Sequence, residues 1–230
     1  MGFWLRMGVC GFRIDAAEML IESYGILESE KSDFSDFLTE MRQFIGYRES
    51  NAILIAETNI RPEEIDKFVD SGKRMQMLFN FYLNQHLFLA LAQEKAATLY
   101  EALEKLPPKE AETQWLNFLR HHDELSLALL DQREQAEIHR AFAPEPEMRI
   151  FGAGARRRLA PMLNQERARM GLAFSLLFCL PGTPLIRYGD EIGMGENLSY
   201  PGRLSVRTPM QWSEAPEGGF SESGNNAVCP

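Results

Sequence analysis

The stretch Gly11-Phe12-Arg13-Ile14-Asp15-Ala16 places a carboxylate directly after a short apolar run. Two further apolar runs, Ala52–Ala56 and Trp115–Leu119, are followed by Glu57 and, a few residues on, by Asp123. Short continuous apolar runs predict strands that are buried on both faces of a parallel sheet. Acids at the ends of such strands are typical of barrel enzymes, whose sites lie at the carboxyl ends of the strands.

Apolar runs separated by helical patterns predict an α/β fold with parallel β-α units. The predicted strands are Val9–Ile14, Ala52–Ala56, Met75–Phe81, Trp115–Leu119 and Pro184–Tyr188. The longest helical pattern, Leu83–Leu106, predicts one helix that ends before two prolines. A second helical region is expected over Glu147–Leu180, where the apolar stretch Gly171–Leu180 predicts a buried helix.

The composition is that of an ordinary globular chain, with 45% hydrophobic and 25% charged residues among 230. Its net charge of -9 disfavours nucleic acids and anionic membranes as partners, and is compatible with a neutral sugar. Gly171–Leu180 is too short to cross a bilayer, and charges interrupt the first residues where a signal peptide would lie. We therefore expect a cytoplasmic protein that binds neither nucleic acid nor membrane.

The three cysteines, Cys10, Cys179 and Cys229, lie far apart in the sequence. An odd number without a C-x-x-C spacing argues against a disulfide framework and against a zinc site. Free, buried thiols are the simpler expectation.

Arg13 and Asp15 stand two residues apart, so on a strand both side chains point to the same side. A neighbouring guanidinium lowers the pKa of a carboxyl group and keeps it anionic, which a nucleophile requires. A purely structural Arg–Asp pair remains the alternative.

Glu57 follows the apolar run Ile53-Leu54-Ile55-Ala56. Apolar neighbours would raise the pKa of its carboxyl group, as suits a general acid. The alternative is an ordinary strand-end carboxylate that accepts a hydrogen bond from a backbone amide.

Asp123 follows Arg120-His121-His122. His122 can donate hydrogen bonds to a sugar hydroxyl and Asp123 can accept them, which would stabilise an oxocarbenium-like state. A metal ligand or a satisfied core residue is the alternative for the paired histidines. No third nitrogen or sulfur ligand stands at a useful spacing, so we assign no metal ligands.

Taken together and in this order, four segments resemble the α-amylase superfamily, glycoside hydrolase family 13. The segments are Gly11–Ala16, Ala56–Asn59, Arg120–Glu124 and Pro181–Gly193. The resemblance implies the C-terminal portion, strands four to eight, of a TIM (β/α)8 barrel. It covers nearly the whole chain.

The resemblance also implies roles for individual residues. Asp15 would be the nucleophile, Glu57 the acid/base and Asp123 the stabiliser of the transition state. His121 departs from the family, which usually has Asn at that position. The substrate-binding residues implied are Arg13, His121, His122 and Arg207. No cofactor is required, and calcium is compatible with the full family fold without ligands that can be assigned in this sequence.

Within the family, several features resemble trehalose synthase, a maltose isomerase. They are Phe118–Arg120, Arg156–Pro161, Tyr188–Gly195 and Val206–Trp212. In the arginine run, Arg156 and Arg157 have a simpler interpretation as an exposed basic helix turn. Asp190 and Glu191 are expected to be structural rather than catalytic.

The implied reaction is a retaining double displacement on maltose or short α-glucans, with isomerisation of maltose to trehalose as the leading expectation. Hydrolysis by an α-glucosidase is the nearest alternative, since the outcome depends on whether the loops exclude water. A non-catalytic amylase-like module, as in amino-acid transporter heavy chains, is a further alternative. The presence of all three acids argues against it.

The resemblance implies a partial catalytic barrel over residues 1–212, and a composition rich in Gly, Ser, Asn and Pro predicts a loop or disordered tail over residues 213–230. Met1–Leu5 resembles the end of a helix that leads into the fourth strand, so we expect a fragment that lacks the first three strands and the C-terminal domain. A partial barrel leaves sheet edges unpaired. The chain alone is therefore expected to be poorly stable and weakly active or inactive.

Overall fold

The computed structural model describes residues 1–20, 34–108 and 112–221, which divide into two compact units. Unit 1 comprises Met1–Tyr82, Glu101–Asn117 and Pro181–Thr183. Unit 2 comprises Leu83–Tyr100, Phe118–Leu180 and Pro184–Pro230. Residues 222–230 of the predicted tail, together with Cys229, lie outside the described residues.

The helices are α1 Gly2–Arg6, α2 Phe34–Gly46, α3 Asp66–Val69, α4 Phe81–Gln93, α5 Ala96–Lys105, α6 Gln132–Phe142, α7 Leu159–Met162 and α8 Arg167–Cys179. The strands are β1 Gly11–Ile14, β2 Ile53–Ala56, β3 Met77–Phe79, β4 Gln114–Phe118, β5 Leu125–Ser126, β6 Arg149–Ile150, β7 Gly154–Ala155 and β8 Thr183–Leu185. The α/β class is as predicted, and β1 to β4 and β8 each overlap one of the five predicted strands. The prediction over Pro184–Tyr188 is wrong for its second half, since β8 ends at Leu185, and β1 and β8 are not buried on both faces as expected. The strand predicted over Met75–Phe81 is shorter, because α4 already begins at Phe81.

The five apolar strands form one sheet in the order β1-β2-β3-β4-β8, and β1 to β4 pair in parallel. The register of the first pair sets Gly11 opposite Ile53 and Ile14 opposite Ala56. Gly11 is required there, since a Cβ atom would come within 2.6 Å of the Ile53 carbonyl oxygen. The backbone at Gly11 therefore leaves no room for a side chain beside Ile53.

The core of unit 1 lies between the parallel sheet and α2. Leu54 and Ala56 of β2 are fully buried, and so are Leu38 and Ile45, which lie two turns apart on α2. Ile53, whose side chain points to the other side of β2, is 38% exposed. The alternation shows that one face of β2 supplies the packing.

Two asparagines tie the ends of β3 and β4 to the segment before β8. Asn80 donates through Nδ2 to Asn117 Oδ1 at 3.1 Å, and Asn117 donates through its own Nδ2 to the Pro181 carbonyl at 3.1 Å. Gly182 follows with a φ of +150°, and a Cβ atom there would collide with the Asn117 amide. This buried amide pair thus fixes where the chain re-enters the sheet.

Unit 2 contains a small antiparallel sheet in the order β5-β7-β6, where a helical region was predicted. The prediction over Glu147–Leu180 is wrong for its first part. Phe151 and Gly152 both have positive φ, 53° and 74°, so the chain turns back on itself between β6 and β7. The helices α7 and α8 occupy the remainder.

The single helix predicted over Leu83–Leu106 is instead two helices, α4 and α5. Glu94 lies between them with a φ of 55°, in the left-handed region that no α-helix can continue through. The apolar pattern continues across this break, which is why periodicity alone predicts one helix.

The prediction of a buried helix over Gly171–Leu180 is wrong. Ala173 and Leu177 of α8 are buried, but Leu172 and Phe178 are more than half exposed. The prediction of buried thiols is wrong as well, since both Cys10 and Cys179 are exposed. Among the described residues, no helix combines the length and the apolar character that crossing a membrane requires.

Replacing Leu54 by Ala is expected to lower the free energy of unfolding by about 2–5 kcal/mol, because it leaves a cavity in the unit 1 core. Ile53→Ala on the same strand is the matched control and should cost much less, since Ile53 is partly exposed. Urea denaturation of both variants measures the two differences. Equal losses in both would contradict this assignment, because they would show that both faces of β2 contribute equally to the packing.

Candidate functional site

The first cluster of predicted site residues lies in unit 1 and consists of Arg13, Asp15 and Glu57, here called the Asp15 cluster. Arg13, on β1, donates through Nη2 to Asp15 Oδ1 at 3.0 Å. The same nitrogen forms an ion pair with Glu57 Oε2. One guanidinium therefore holds two carboxylates together, and the predicted Arg13–Asp15 contact is present.

The backbone places these acids at the carboxyl ends of β1 and β2. The Glu57 amide donates to the Ile14 carbonyl at 2.9 Å, and the Ala17 amide donates to the Glu57 carbonyl at 3.0 Å. Ala16 has a φ of 41°, a strained conformation for a residue with a Cβ atom. The two acids differ in exposure, since the Asp15 side chain is 79% accessible and the Glu57 side chain 11% accessible.

The second cluster lies in unit 2 and consists of His122, Asp123, Arg203 and Arg207, here called the Asp123 cluster. Arg207 donates through Nη2 to Asp123 Oδ1, and Arg203 Nη1 lies 2.9 Å from Oδ2. His122 Nε2 is 3.5 Å from Oδ1. Burial pushes the pKa of Asp123 upward, but the Arg207 hydrogen bond and the charges of His122 and Arg203 hold it below its ordinary value.

Arg203 and Arg207 also bind groups other than the Asp123 carboxylate. Arg207 donates through Nε to the His122 carbonyl at 3.0 Å, which places this predicted residue beside His122 and Asp123. Arg203 binds both oxygens of Glu124, at 2.6 and 3.0 Å. Sequence reasoning missed Arg203, because nothing in the short turn Gly202–Val206 links it to an acid so far away in the chain.

His121 is buried beside the Asp123 cluster and is not part of it. Its ring makes edge contacts with Phe118 and His122, at centroid distances of 5.1 and 5.4 Å. Burial, together with the charge of Arg120, lowers the pKa of His121 to about 2, so the imidazole is neutral. Arg120 itself donates to the Arg157 carbonyl at 2.9 Å and the Asp123 carbonyl at 2.7 Å, a backbone support that sequence reasoning did not identify.

The arginine run is not the exposed helix turn that was expected. Arg157 is buried against Glu196 and donates to the Phe142 carbonyl, and Arg156 donates to the carbonyls of Glu147 and Tyr200. These residues precede α7 and donate to backbone carbonyls at the end of α6 and in the nearby turns. The prediction of an exposed turn is therefore wrong for both arginines.

Arg158, the next residue, is paired with Asp190 at 3.0 Å and also donates to the Tyr188 carbonyl. Its backbone amide donates to Glu196 at 2.8 Å. Burial raises the pKa of Asp190 despite the Arg158 charge. A buried, ion-paired Asp190 has the surroundings of a structural carboxylate.

Asp123→Asn is expected to lower the free energy of unfolding at pH 7 by about 1–3 kcal/mol, because charged hydrogen bonds to Arg203 and Arg207 are lost. The pKa of Asp123 is lowered in the folded state, so this stabilisation is present above the unfolded pKa near 4 and is lost as the pH falls through the lower folded value. Urea denaturation at pH 7, 5 and 3 should show the difference between parent and variant shrinking with acidity.

The exposed Glu145 of the same unit provides the control, Glu145→Gln, which should change little at any of these pH values. A loss from Asp123→Asn that is the same at pH 3 as at pH 7 would show that the charge of this carboxylate does not contribute to stability.

Comparisons with known proteins agree with the fold and with the resemblance. The family described as alpha amylase, catalytic domain, matches residues 1–227. The chain is 38% identical over 229 residues to trehalose synthase of Thermus thermophilus, which is 99% of this chain and 24% of that protein. It is 37% identical over 225 residues to trehalose synthase/amylase TreS of Mycolicibacterium smegmatis, covering 96% of this chain and 38% of that protein.

The crystal structure of an alpha-amylase from H. orenii matches with a TM-score of 0.60 at 22% identity, over 92% of this chain and 36% of that one. This likeness confirms the predicted fold, a partial (β/α)8 barrel. The chain spans less than half the length of each of these proteins. Because the family model matches almost every residue, this chain belongs to the α-amylase family, glycoside hydrolase family 13.

Proposed function

We propose that this chain carries the catalytic acids of a retaining α-glucosyl enzyme that acts on maltose or short α-glucans and isomerises maltose to trehalose. Similarity to two trehalose synthases over nearly the whole chain supports the choice of reaction. The acids proposed as catalytic are Asp15, Glu57 and Asp123.

The observation that carries this proposal is the sharing of one Arg13 nitrogen by Asp15 and Glu57. Two carboxylates that contact the same atom lie near the spacing of about 5 Å that retaining enzymes use. Inverting enzymes hold their two carboxylates farther apart to admit a water between them. The Asp15 cluster therefore fits a covalent intermediate better than a direct attack by water.

The first step would form an ester between the sugar and Asp15. A carboxylate oxygen of Asp15 attacks C1 of the terminal α-glucosyl unit while Glu57 gives its proton to the glycosidic oxygen. The C1–O bond breaks, the leaving glucose stays in the site, and a β-glucosyl-enzyme remains. The guanidinium of Arg13, 3.0 Å from Asp15, would hold the attacking carboxylate in a fixed orientation.

The second step decides the product. Glu57, now a carboxylate, takes a proton from the anomeric hydroxyl of the retained glucose, and that oxygen attacks C1 as the Asp15 ester bond breaks. The product is trehalose, with inversion at C1 twice and net retention. If water attacks in place of the glucose, the product is a second glucose.

Residues of the Asp123 cluster would recognise sugar hydroxyls. The anionic carboxylate of Asp123 is proposed to stabilise the positively charged, oxocarbenium-like transition state. Arg203 and Arg207 hold the two oxygens of this carboxylate in place. His122 and Arg207 are proposed to bind substrate. His121, buried and neutral, would act by positioning His122.

No cofactor enters this reaction. The expectation of a calcium site in the full family fold stays a prediction without assigned ligands. A cytoplasmic location is likewise proposed from the composition.

Hydrolysis is the second candidate, and one observation favours it. The Asp15 side chain is 79% accessible, so water can reach a sugar ester formed on it. Trehalose formation would require that the bound substrate itself excludes this water.

Incubating the purified chain with maltose and separating the sugars after a long reaction tests the proposal. Asp15→Asn and Glu57→Gln are expected to reduce turnover by about 10²-fold to 10⁴-fold or more. Asp66→Asn and Glu63→Gln, which change exposed acids of the same unit, should leave turnover unchanged.

Formation of trehalose that is lost in Asp15→Asn and Glu57→Gln supports isomerisation. Formation of glucose alone, lost in the same two variants, supports hydrolysis. Absence of turnover in the parent chain would contradict activity of this chain by itself. Equal turnover in Asp15→Asn and the parent would exclude Asp15 as the nucleophile.

A further inference from the structure

Two neighbouring residues of α4, Asn84 and Gln85, bury their amide side chains within unit 2. Asn84 is 3% exposed and Gln85 is 0% exposed. Most residues of α4 are apolar, and burying an amide among them is unfavourable unless its hydrogen bonds are made inside the protein. The partners of these two amides therefore show what the polar pair stabilises.

Asn84 binds the chain a few residues before Asp123. Its Nδ2 atom donates to the Phe118 carbonyl at 2.7 Å and to the Leu119 carbonyl at 2.9 Å. A side-chain amide nitrogen carries two hydrogens, and these two bonds use both of them. Because both partners are carbonyl oxygens, the nitrogen of the Asn84 amide must face them, which settles its orientation.

Gln85 binds the chain on the other side of Asp123. Its Oε1 atom accepts a hydrogen bond from the Leu129 amide at 2.9 Å. Successive residues of an α-helix lie about 100° apart around its axis, so Asn84 and Gln85 reach two different parts of the chain. One helix therefore holds residues 118–129, here called the Asp123 segment, at both ends.

The start of the Asp123 segment is packed against the histidine proposed to bind sugar. The ring centroids of Phe118 and His121 are 5.1 Å apart, and those of His121 and His122 are 5.4 Å apart. Closely packed side chains transmit displacements, so a shift of the Phe118 backbone would reach His122. The hydrogen bonds from Asn84 thus help to fix the His122 ring.

The contacts of the Asp123 carboxylate depend on the same segment. Arg203 and Arg207, which bind its two oxygens, come from a distant part of the sequence. Charged hydrogen bonds require short distances and good alignment, so the Asp123 segment must present the carboxylate to both arginines at a fixed place. Release of either end of the segment would let Asp123 move away from them.

We propose that Asn84 and Gln85 are positioning residues for the reaction, because they hold the Asp123 segment at both ends and so keep His122 and Asp123 aligned on the bound sugar. This inference rests on the proposed function, in which Asp123 stabilises the transition state. Both amides are buried and act through the backbone, without contact with the sugar. A misplacement of about 1 Å at a reacting group can lower a rate by about 10²-fold.

A double-mutant cycle on stability tests the coupling of Asn84 to Asp123 without requiring any activity. Asn84→Leu keeps the shape of the side chain and removes both donors. Urea denaturation at pH 7 of the parent, Asn84→Leu, Asp123→Asn and the double variant gives the cost of Asp123→Asn in both backgrounds. That cost should fall to less than about half in the Asn84→Leu background, because the carboxylate there has already lost contacts with Arg203 and Arg207.

Gln93→Met provides the matched control, since Gln93 lies on the same helix and donates to Glu137 at 2.7 Å, outside the Asp123 segment. In that background Asp123→Asn should cost as much as in the parent, because uncoupled sites contribute independently. An equal cost in the parent and in Asn84→Leu would overturn the proposal.

Should Asn84→Leu fail to fold, Gln85→Met takes its place in the cycle, because it removes the acceptor of the Leu129 amide and leaves Asn84 unchanged. The same reduction in the cost of Asp123→Asn is expected, and an unreduced cost again refutes the proposal.

Turnover of maltose separates positioning from a purely structural role. At a temperature where the variant is fully folded, Asn84→Leu should lower kcat by about tenfold or more with a smaller change in KM, as expected when a transition-state interaction is lost. Gln93→Met should keep the kcat of the parent, and an unchanged kcat in Asn84→Leu would exclude the positioning role. If the parent does not turn over maltose, the proposed function fails, and the stability cycle decides whether the two amides position Asp123.

Discussion

The parallel register of β1 on β2 determines where the acids of unit 1 can lie. Arg13 stands opposite Ile55 and Ile14 opposite Ala56, and the ladder continues into the hydrogen bond from the Glu57 amide to Ile14. A slip of one residue would turn Arg13 to the other face of the sheet and away from both carboxylates. The close contact at Gly11 and the burial of Leu54 oppose such a slip. Packing in the core thus specifies the contacts of Arg13.

Arginines hold together the irregular segments between the helices of unit 2. Its strands are two residues long, and much of its backbone runs in turns that leave carbonyl oxygens without ladder partners. Arg120, Arg156 and Arg157 donate to backbone carbonyls through their planar guanidiniums. The Arg207 hydrogen bond and the charges of His122 and Arg203 hold the pKa of Asp123 below its ordinary value, while burial, with the charge of Arg120, keeps His121 neutral.

Much of the sheet could be predicted from the sequence, since its strands are continuous apolar runs that end in polar residues. The pairing of Arg13 with Asp15 could be predicted too, because it depends on two-residue strand periodicity alone. The break between α4 and α5 could not, because one left-handed residue, Glu94, interrupts an apolar pattern that continues on both sides. The partial exposure of α8 could not be predicted either. Apolar composition shows which side chains can be buried, but it does not show whether another element packs against them.

The ion-pair partners of the arginines could not be predicted from the sequence for a different reason. Arg157 pairs with Glu196 and Arg203 with Asp123 across long separations in the chain, and an exposed run of charges would give the same local sequence pattern.

The exposure of two cysteines affects how copies of this chain can react with one another. Thiols of Cys10 and Cys179 are open to solvent in the folded chain, so oxidation in air can link two copies covalently without unfolding either one.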